Sequence, residues 1–266
     1  MFDKKYYFLS GLPRCGNTLL SSILGQNPKI KVSPNSFLST IFCQILDQDD
    51  NIAFHNFPDY QSLQDCASIL FKTYYKSWNG DIIIDRAPWG TEGNLKILKD
   101  YCPNKPKFIC PYRPLVEILA SFINLYHKNK IIDISDKRRV EDICYGLMGK
   151  GSLLYKSIQS INNLHQSEHD VYYLNYHSLC ENPQNEVRNI YKFLGLKQHK
   201  HNFKNIDQFE VNGVKYHDEI NDSYKNLHDV RPIIKEQEIN VDELIPPSII
   251  KEYKHLNFEY LTSSNN

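Results

Sequence analysis

Residues 6–24 constrain the fold more than any other stretch of the chain. The apolar run Tyr6 to Ser10 enters a turn, Gly11-Leu12-Pro13-Arg14-Cys15-Gly16, and Asn17-Thr18-Leu19-Leu20 then opens an amphipathic helix. A run of strand length, a Gly/Pro turn and a helical pattern, in that order, open a βαβ unit. Such a unit belongs in a mostly parallel sheet, because its helix must cross over before the next strand can pair. At 266 residues the chain is long enough to bury a sheet of this kind on both faces.

The alternation recurs downstream. Strands are expected at about Tyr6–Ser10, Asp81–Asp85, Lys107–Pro111 and Val171–Asn175, each followed by a turn and a candidate helix. Leu63, Ala67, Leu70, Phe71, Tyr74, Tyr75 and Trp78 fall on one face of a helix over Gln61–Trp78. A longer helix runs from Val140 to Ile161, with Gly146, Gly149 and Gly151 weakening its middle. Asn182 caps another, Pro183 opens it and Gly195 closes it. The stretch at about 197–247 is polar and weakly periodic, a loop-rich elaboration of one domain over 1–266. The fold class is therefore α/β, three layers, with a central, mostly parallel sheet flanked by helices.

Charge narrows the function. The 31 basic and 31 acidic residues balance, so no global field draws nucleic acid or an anionic membrane, and anion binding has to come from a local site. The apolar stretch Tyr6 to Leu9 is too brief for a leader or a membrane span, and a cytoplasmic location is expected. Seven cysteines are scattered without a CxxC pair, which reads as free thiols rather than disulfides or zinc ligands.

The local site is the turn itself. A Gly/Pro loop between a strand and a helix aims backbone N–H groups and the positive end of the helix dipole at one point, which suits a phosphate or sulfate. Gly11 and Gly16 permit the tight path, Arg14 supplies a cation and Thr18 a hydroxyl. The spacing follows the Walker A pattern except that Asn17 stands where the lysine should be. An ATP-dependent kinase thereby loses its main clamp on the β- and γ-phosphates.

The stretch from Ser10 to Pro28 resembles the 5′-phosphosulfate loop of sulfotransferases, nearest the branch with Pro-Arg-Ser-Gly-like loops that includes the tyrosylprotein sulfotransferases; Cys15 replaces a frequent serine. Two more segments resemble the family in order. Tyr112-Arg113-Pro114 follows a strand, with Ser121 eight residues after Arg113, the spacing of the family's 3′-phosphate ligands. Val171 to Pro183 resembles a late strand and turn in which Tyr176 lines the adenosine site, with His177-Ser178 in place of an acidic pair. The resemblance implies a P-loop-like sulfotransferase fold and a donor, 3′-phosphoadenosine 5′-phosphosulfate (PAPS), with adenosine 3′,5′-bisphosphate as product. Pro13, Arg14, Cys15, Gly16, Asn17, Thr18, Leu19, Arg113, Ser121 and Tyr176 would hold it.

For chemistry the resemblance points to the end of the second expected strand. Arg86 stands in the segment where the family has a lysine or histidine near the sulfuryl group, and Asp85 beside it is either the base or a partner of Arg86. Arg14 and Arg86 would stabilise transition-state charge. The glutamate that serves as base in the tyrosylprotein branch has no counterpart in Lys31 to Ser36, so Glu92, His55 and His177 join Asp85 as candidates. Beyond 200 the likeness fades, and Arg231 is a possible substitute cation. No metal is expected. The acceptor, be it a small molecule, a carbohydrate or a peptide, and the oligomeric state are not legible. A kinase, or a non-catalytic module that senses the bisphosphate, are the competing readings.

Overall fold

A computed structural model describes residues 4–48, 50–215, 218 and 225–263. In chain order its elements begin β1 (Lys5–Leu9), α1 (Asn17–Gly25), β2 (Ile30–Ser33), α2 (Leu38–Leu46), α3 (Ile52–Asn56), α4 (Tyr60–Ser68) and α5 (Leu70–Tyr74). The middle holds β3 (Ile82–Arg86), α6 (Glu92–Tyr101), β4 (Lys107–Tyr112), α7 (Leu115–Lys128), α8 (Lys137–Met148) and α9 (Leu153–His165). Then come β5 (Asp170–Asn175), α10 (Tyr176–Glu181), α11 (Pro183–Leu194), the strands β6 (Glu210–Val211) and β7 (Val214–Lys215), and α12 (Val241–Leu244), α13 (Pro247–Tyr253) and α14 (Tyr260–Ser263).

The five longer strands form one sheet in the order β2-β3-β1-β4-β5, every pairing parallel. Side chains alternate along β1, and each set founds its own core. Tyr6 and Phe8 pack with Phe42, Phe71, Trp89 and residues of α7 to α9 on one face. Tyr7 and Leu9 pack with Leu20 and Ile23 of α1 and with Val187, Ile190 and Tyr191 of α11 on the other. Burying both faces is what an all-parallel sheet requires, and fully buried side chains of this size contribute roughly 1.5–3 kcal/mol each.

The four expected strands are present within a residue or so of their expected ends, and β2 is an addition. The long helix read over Gln61–Trp78 is two short ones with Ile69 between them. The one read from Val140 to Ile161 breaks where Gly149 leaves helical geometry and Gly151 takes φ 90°, giving α8 and α9. No helix among the described residues is long and apolar enough to cross a membrane.

Strand order places the site. From β1 the chain crosses toward β2, whereas from β4 it proceeds to β5 on the other side, so the crevice beyond the carboxyl ends of β1 and β4 is a topological switch point.

Candidate active site

The turn after β1 is held from below by backbone bonds to β4: Ser10 donates to Ile109 and Leu12 to Pro111, at 2.9 and 2.8 Å. Only glycine fits at position 11, where a Cβ would lie 2.5 Å from both Asn17 Oδ1 and Pro111 Cδ. Arg14 takes a left-handed φ of 62°, a strain of order 1–3 kcal/mol for a non-glycine residue and of the kind that collects at ligand sites. Gly16, at φ 74°, starts α1 without a side-chain cap, so the first-turn N–H groups point into the crevice. Asn17 is buried and its amide donates 2.7 Å to Leu12 O, inside the loop.

Arg113 leaves the end of β4 and is 2% exposed. Its Nε donates 2.6 Å to Glu117 Oε2, one helical turn on in α7, and its guanidinium lies 4.6 Å from the centre of the Tyr176 ring. The same ring backs onto Gly16, where a Cβ would approach it to 3.1 Å. Burial pushes the Tyr176 phenol up to about 12, so it stays neutral. Arg14 reaches across the crevice, donating 3.1 Å to Ser121 Oγ from Nε and 2.8 Å to Leu227 O from Nη1. Ser121 therefore lies beside Arg14 as well as on α7, the helix that follows Arg113.

These groups surround one cavity of about 720 Å³. Pro13, Arg14, Gly16, Asn17, Thr18, Leu19, Arg86, Arg113, Ser121 and Tyr176 all lie on its walls. Its cations are Arg14, Arg86, Arg113, Arg231, Lys128, Lys225 and Lys235, against Asp229, Glu236 and Glu238. A hollow with that excess of positive charge, a helix N-terminus and an aromatic face suits a nucleotide-like polyanion.

Two expected site residues lie elsewhere. Cys15 is fully buried in the core and its thiol contacts Pro13 O at 3.4 Å, so the loop can offer a ligand its backbone N–H but not its side chain. Burial drives the thiol pKa far above its ordinary value. Asp85 is 0% exposed. One carboxylate oxygen accepts from Trp89 Nε1 at 2.9 Å and the other meets the Tyr75 hydroxyl. Desolvation raises its pKa to about 6. Neighbours in a strand face opposite ways, and here Arg86 faces the cavity while Asp85 faces the core. That placement replaces the catalytic expectation for Asp85 with a structural one and separates it from Arg86 as a partner. Of the other candidate bases, Glu92 is exposed on α6 and His55 sits on α3, neither on the cavity wall. His177 bridges Glu236, 2.7 Å from Nδ1, and Glu117, 3.2 Å from Nε2. Those three residues also bring ligand atoms within 4.8 Å of one another, the one metal-like grouping among the described residues, with the imidazole already spanning its carboxylates.

Of the far wall the sequence reading named only Arg231, which lines the cavity. Residues 225–238 fold over the crevice as a strap, and Lys225, Leu227, His228, Arg231 and Glu236 line it. Asn129 at the end of α7 exchanges hydrogen bonds with the backbone of Lys225, at 2.9 and 3.2 Å. Gln208 does the same for His228 and Val230, and Ile206 N donates to Pro232 O. The basic run Arg231 to Lys235, interrupted by apolar residues in a polar stretch, was the available signal.

The profile described as the sulfotransferase family matches residues 7–200. No curated protein sequence matches the chain. The structure resembles sulfotransferase STF9 from Mycobacterium avium at 13% identity, covering 100% of this chain and 78% of that one, with a TM-score of 0.52. It also resembles the sulfotransferase domain of the Synechococcus PCC 7002 olefin synthase, at 15% identity over 74% of each chain and a TM-score of 0.46.

Proposed function

The chain belongs to the sulfotransferase family, and from that membership we propose that its cavity binds PAPS and passes the sulfuryl group to a hydroxyl or amine acceptor. The observation that carries the reading is the pairing of two cationic subsites across one crevice: the loop with Arg14 after β1, and Arg113 with Tyr176 at the ends of β4 and β5. In this reading the 5′-phosphosulfate lies on the loop and the start of α1. Arg113 takes the 3′-phosphate with Ser121 nearby, and Tyr176 faces the adenosine. Arg14 and Arg86 neutralise charge that develops on the sulfuryl oxygens and the leaving phosphate. Burial lowers the pKa of Arg14, but a guanidinium stays charged at any working pH. Asn17 turns its amide inward where a Walker loop would extend a lysine, which disfavours the kinase alternative.

The test is binding of adenosine 3′,5′-bisphosphate, AMP and Mg·ATP by calorimetry. The bisphosphate is expected to bind well and AMP poorly, because AMP lacks the 3′-phosphate that would add a charge-assisted bond to Arg113 beside its pair with Glu117. Equal affinities for bisphosphate and AMP would overturn the donor assignment, and tighter binding of Mg·ATP would favour a kinase.

A further inference from the structure

The base that sulfuryl transfer requires is supplied neither by Asp85, sealed in the core, nor by His177, held between two carboxylates. The strap carries a group that meets the requirement. His228 lines the same cavity as Arg14 and Arg86. Its Nδ1 lies 2.5 Å from Asp218 Oδ1, and its backbone N–H donates 2.8 Å to Asp218 Oδ2, so one carboxylate fixes both the ring and the chain that bears it. A histidine held at Nδ1 by a carboxylate has a defined tautomer, in which Nε2 exchanges the proton.

We propose that His228 is the general base of the transfer, with Asp218 as its positioning residue; the assignment rests on the donor reading above. The step balances as follows. Nε2 accepts the proton of the acceptor O–H, and the acceptor oxygen bonds to sulfur as the bond from sulfur to the 5′-phosphate oxygen breaks. That oxygen leaves with the electron pair as adenosine 3′,5′-bisphosphate, and the imidazolium then returns its proton to solvent.

The electrostatic setting agrees with the geometry. The charged groups that act on His228 are Asp218, Arg86 and Arg14. Burial is the largest influence and lowers the imidazole pKa, the two arginines act in the same direction, and Asp218 opposes them. A base kept neutral at physiological pH next to the cations that hold the sulfuryl group is poised to take a proton. Asp229, Glu236 and Glu238 also reach the cavity, but Glu236 is occupied by His177, and Asp229 and Glu238 are exposed on the strap.

The test compares wild type with His228→Gln and Asp218→Asn, using PAPS and two probe acceptors, phenol and 4-nitrophenol, with water as a third. Phenol keeps its proton at neutral pH and needs a base, whereas 4-nitrophenol is largely ionised in weak alkali. His228→Gln is expected to lose about 10²–10⁴-fold in kcat with phenol and far less with 4-nitrophenol, with bisphosphate affinity close to wild type. Asp218→Asn is expected to lose less and to move the acidic limb of the pH-rate profile to lower pH, since its carboxylate holds the imidazole pKa up. Equal losses on both phenols, or none, would overturn the base assignment. So would a wild type that binds the bisphosphate but turns over no probe, and in that case the donor reading stands. A wild type that fails to bind the bisphosphate removes the donor reading, and the base with it.

Discussion

The two walls of the cavity are built on different terms. The sheet wall hangs on β1 and β4, whose side chains fill two cores and whose loop is tied down by backbone bonds and by a glycine that admits no Cβ. The strap wall has no regular structure over 225–238 and is pinned by Asn129, Gln208 and Ile206. Arg14 joins the two through Ser121 on α7 and Leu227 on the strap. On the proposed reading the contrast sets the phosphate loop and Arg113 on backbone held by a closed core, while the strap, with fewer ties, is the wall expected to adjust to what lies beneath it.

If that division is right, damage to the sheet wall costs most. Asp85→Ala leaves the Trp89 N–H without its acceptor and the Tyr75 hydroxyl with a long contact to Ser36 Oγ at 3.4 Å, in a closed core, and about 3–5 kcal/mol of stability should be lost. Urea unfolding would check it, and a loss below about 1 kcal/mol would show that the knot around Trp89 is dispensable.

Arg113→Ala should keep the fold and lose about 1.5–3 kcal/mol of bisphosphate binding, roughly ten- to more than a hundredfold, with little change for AMP. Calorimetry with both ligands reads the difference directly. Arg14→Ala should weaken both ligands that carry a 5′-phosphate, and unchanged affinity in a folded variant would remove Arg14 from the site.

Asp85→Asn sharpens the comparison through pH. The folded-state pKa of about 6 lies above the ordinary 3.8, so the folded protein prefers the protonated acid. This group's contribution is then fully present below about pH 4 and is lost as pH rises through about 6, an effect on the order of 3 kcal/mol. Asparagine does not titrate, so the variant should gain on wild type across that interval while retaining turnover. Parallel stability curves from pH 4 to pH 7 would contradict the buried acid.

The smallest effect is expected on the strap. Gln208→Ala removes two hydrogen bonds to an irregular segment, and a loss of about 1 kcal/mol or less is anticipated. Its kcat with phenol should fall more than its bisphosphate affinity, since on the proposed reading the strap bears the base and the sheet wall the donor ligands. A collapse of bisphosphate binding in this variant would erase the distinction between the walls.

The same division explains what could be read in the sequence. The loop after β1 was legible because strand, turn and helix signals bracket it and report backbone geometry, whereas the arginine after β4 was singled out by its resemblance to the family's spacing and not by its own pattern. Strand β2 was not, since Ile30 to Ser33 is four residues long and carries Lys31. Parity required Asp85 and Arg86 to face opposite ways, yet which of them met the cavity depended on which core β3 joined, a tertiary fact. Apart from Arg231 the strap was illegible, because its place is set by side chains of Asn129 and Gln208 that are remote in sequence, and no period marks such contacts.

The Tyr176 ring has a consequence of its own. Two of its ring carbons stand 3.1 and 3.2 Å from where a Cβ on Gly16 would lie, and the Arg113 guanidinium sits 4.6 Å from its centre. One rigid ring therefore neighbours both the loop after β1 and the arginine after β4, and on the proposed reading it couples the two subsites that would hold the ends of the donor. A side chain added at position 16 would meet that ring, besides straining a positive φ, and so disturb both sides of the crevice without touching a single charge.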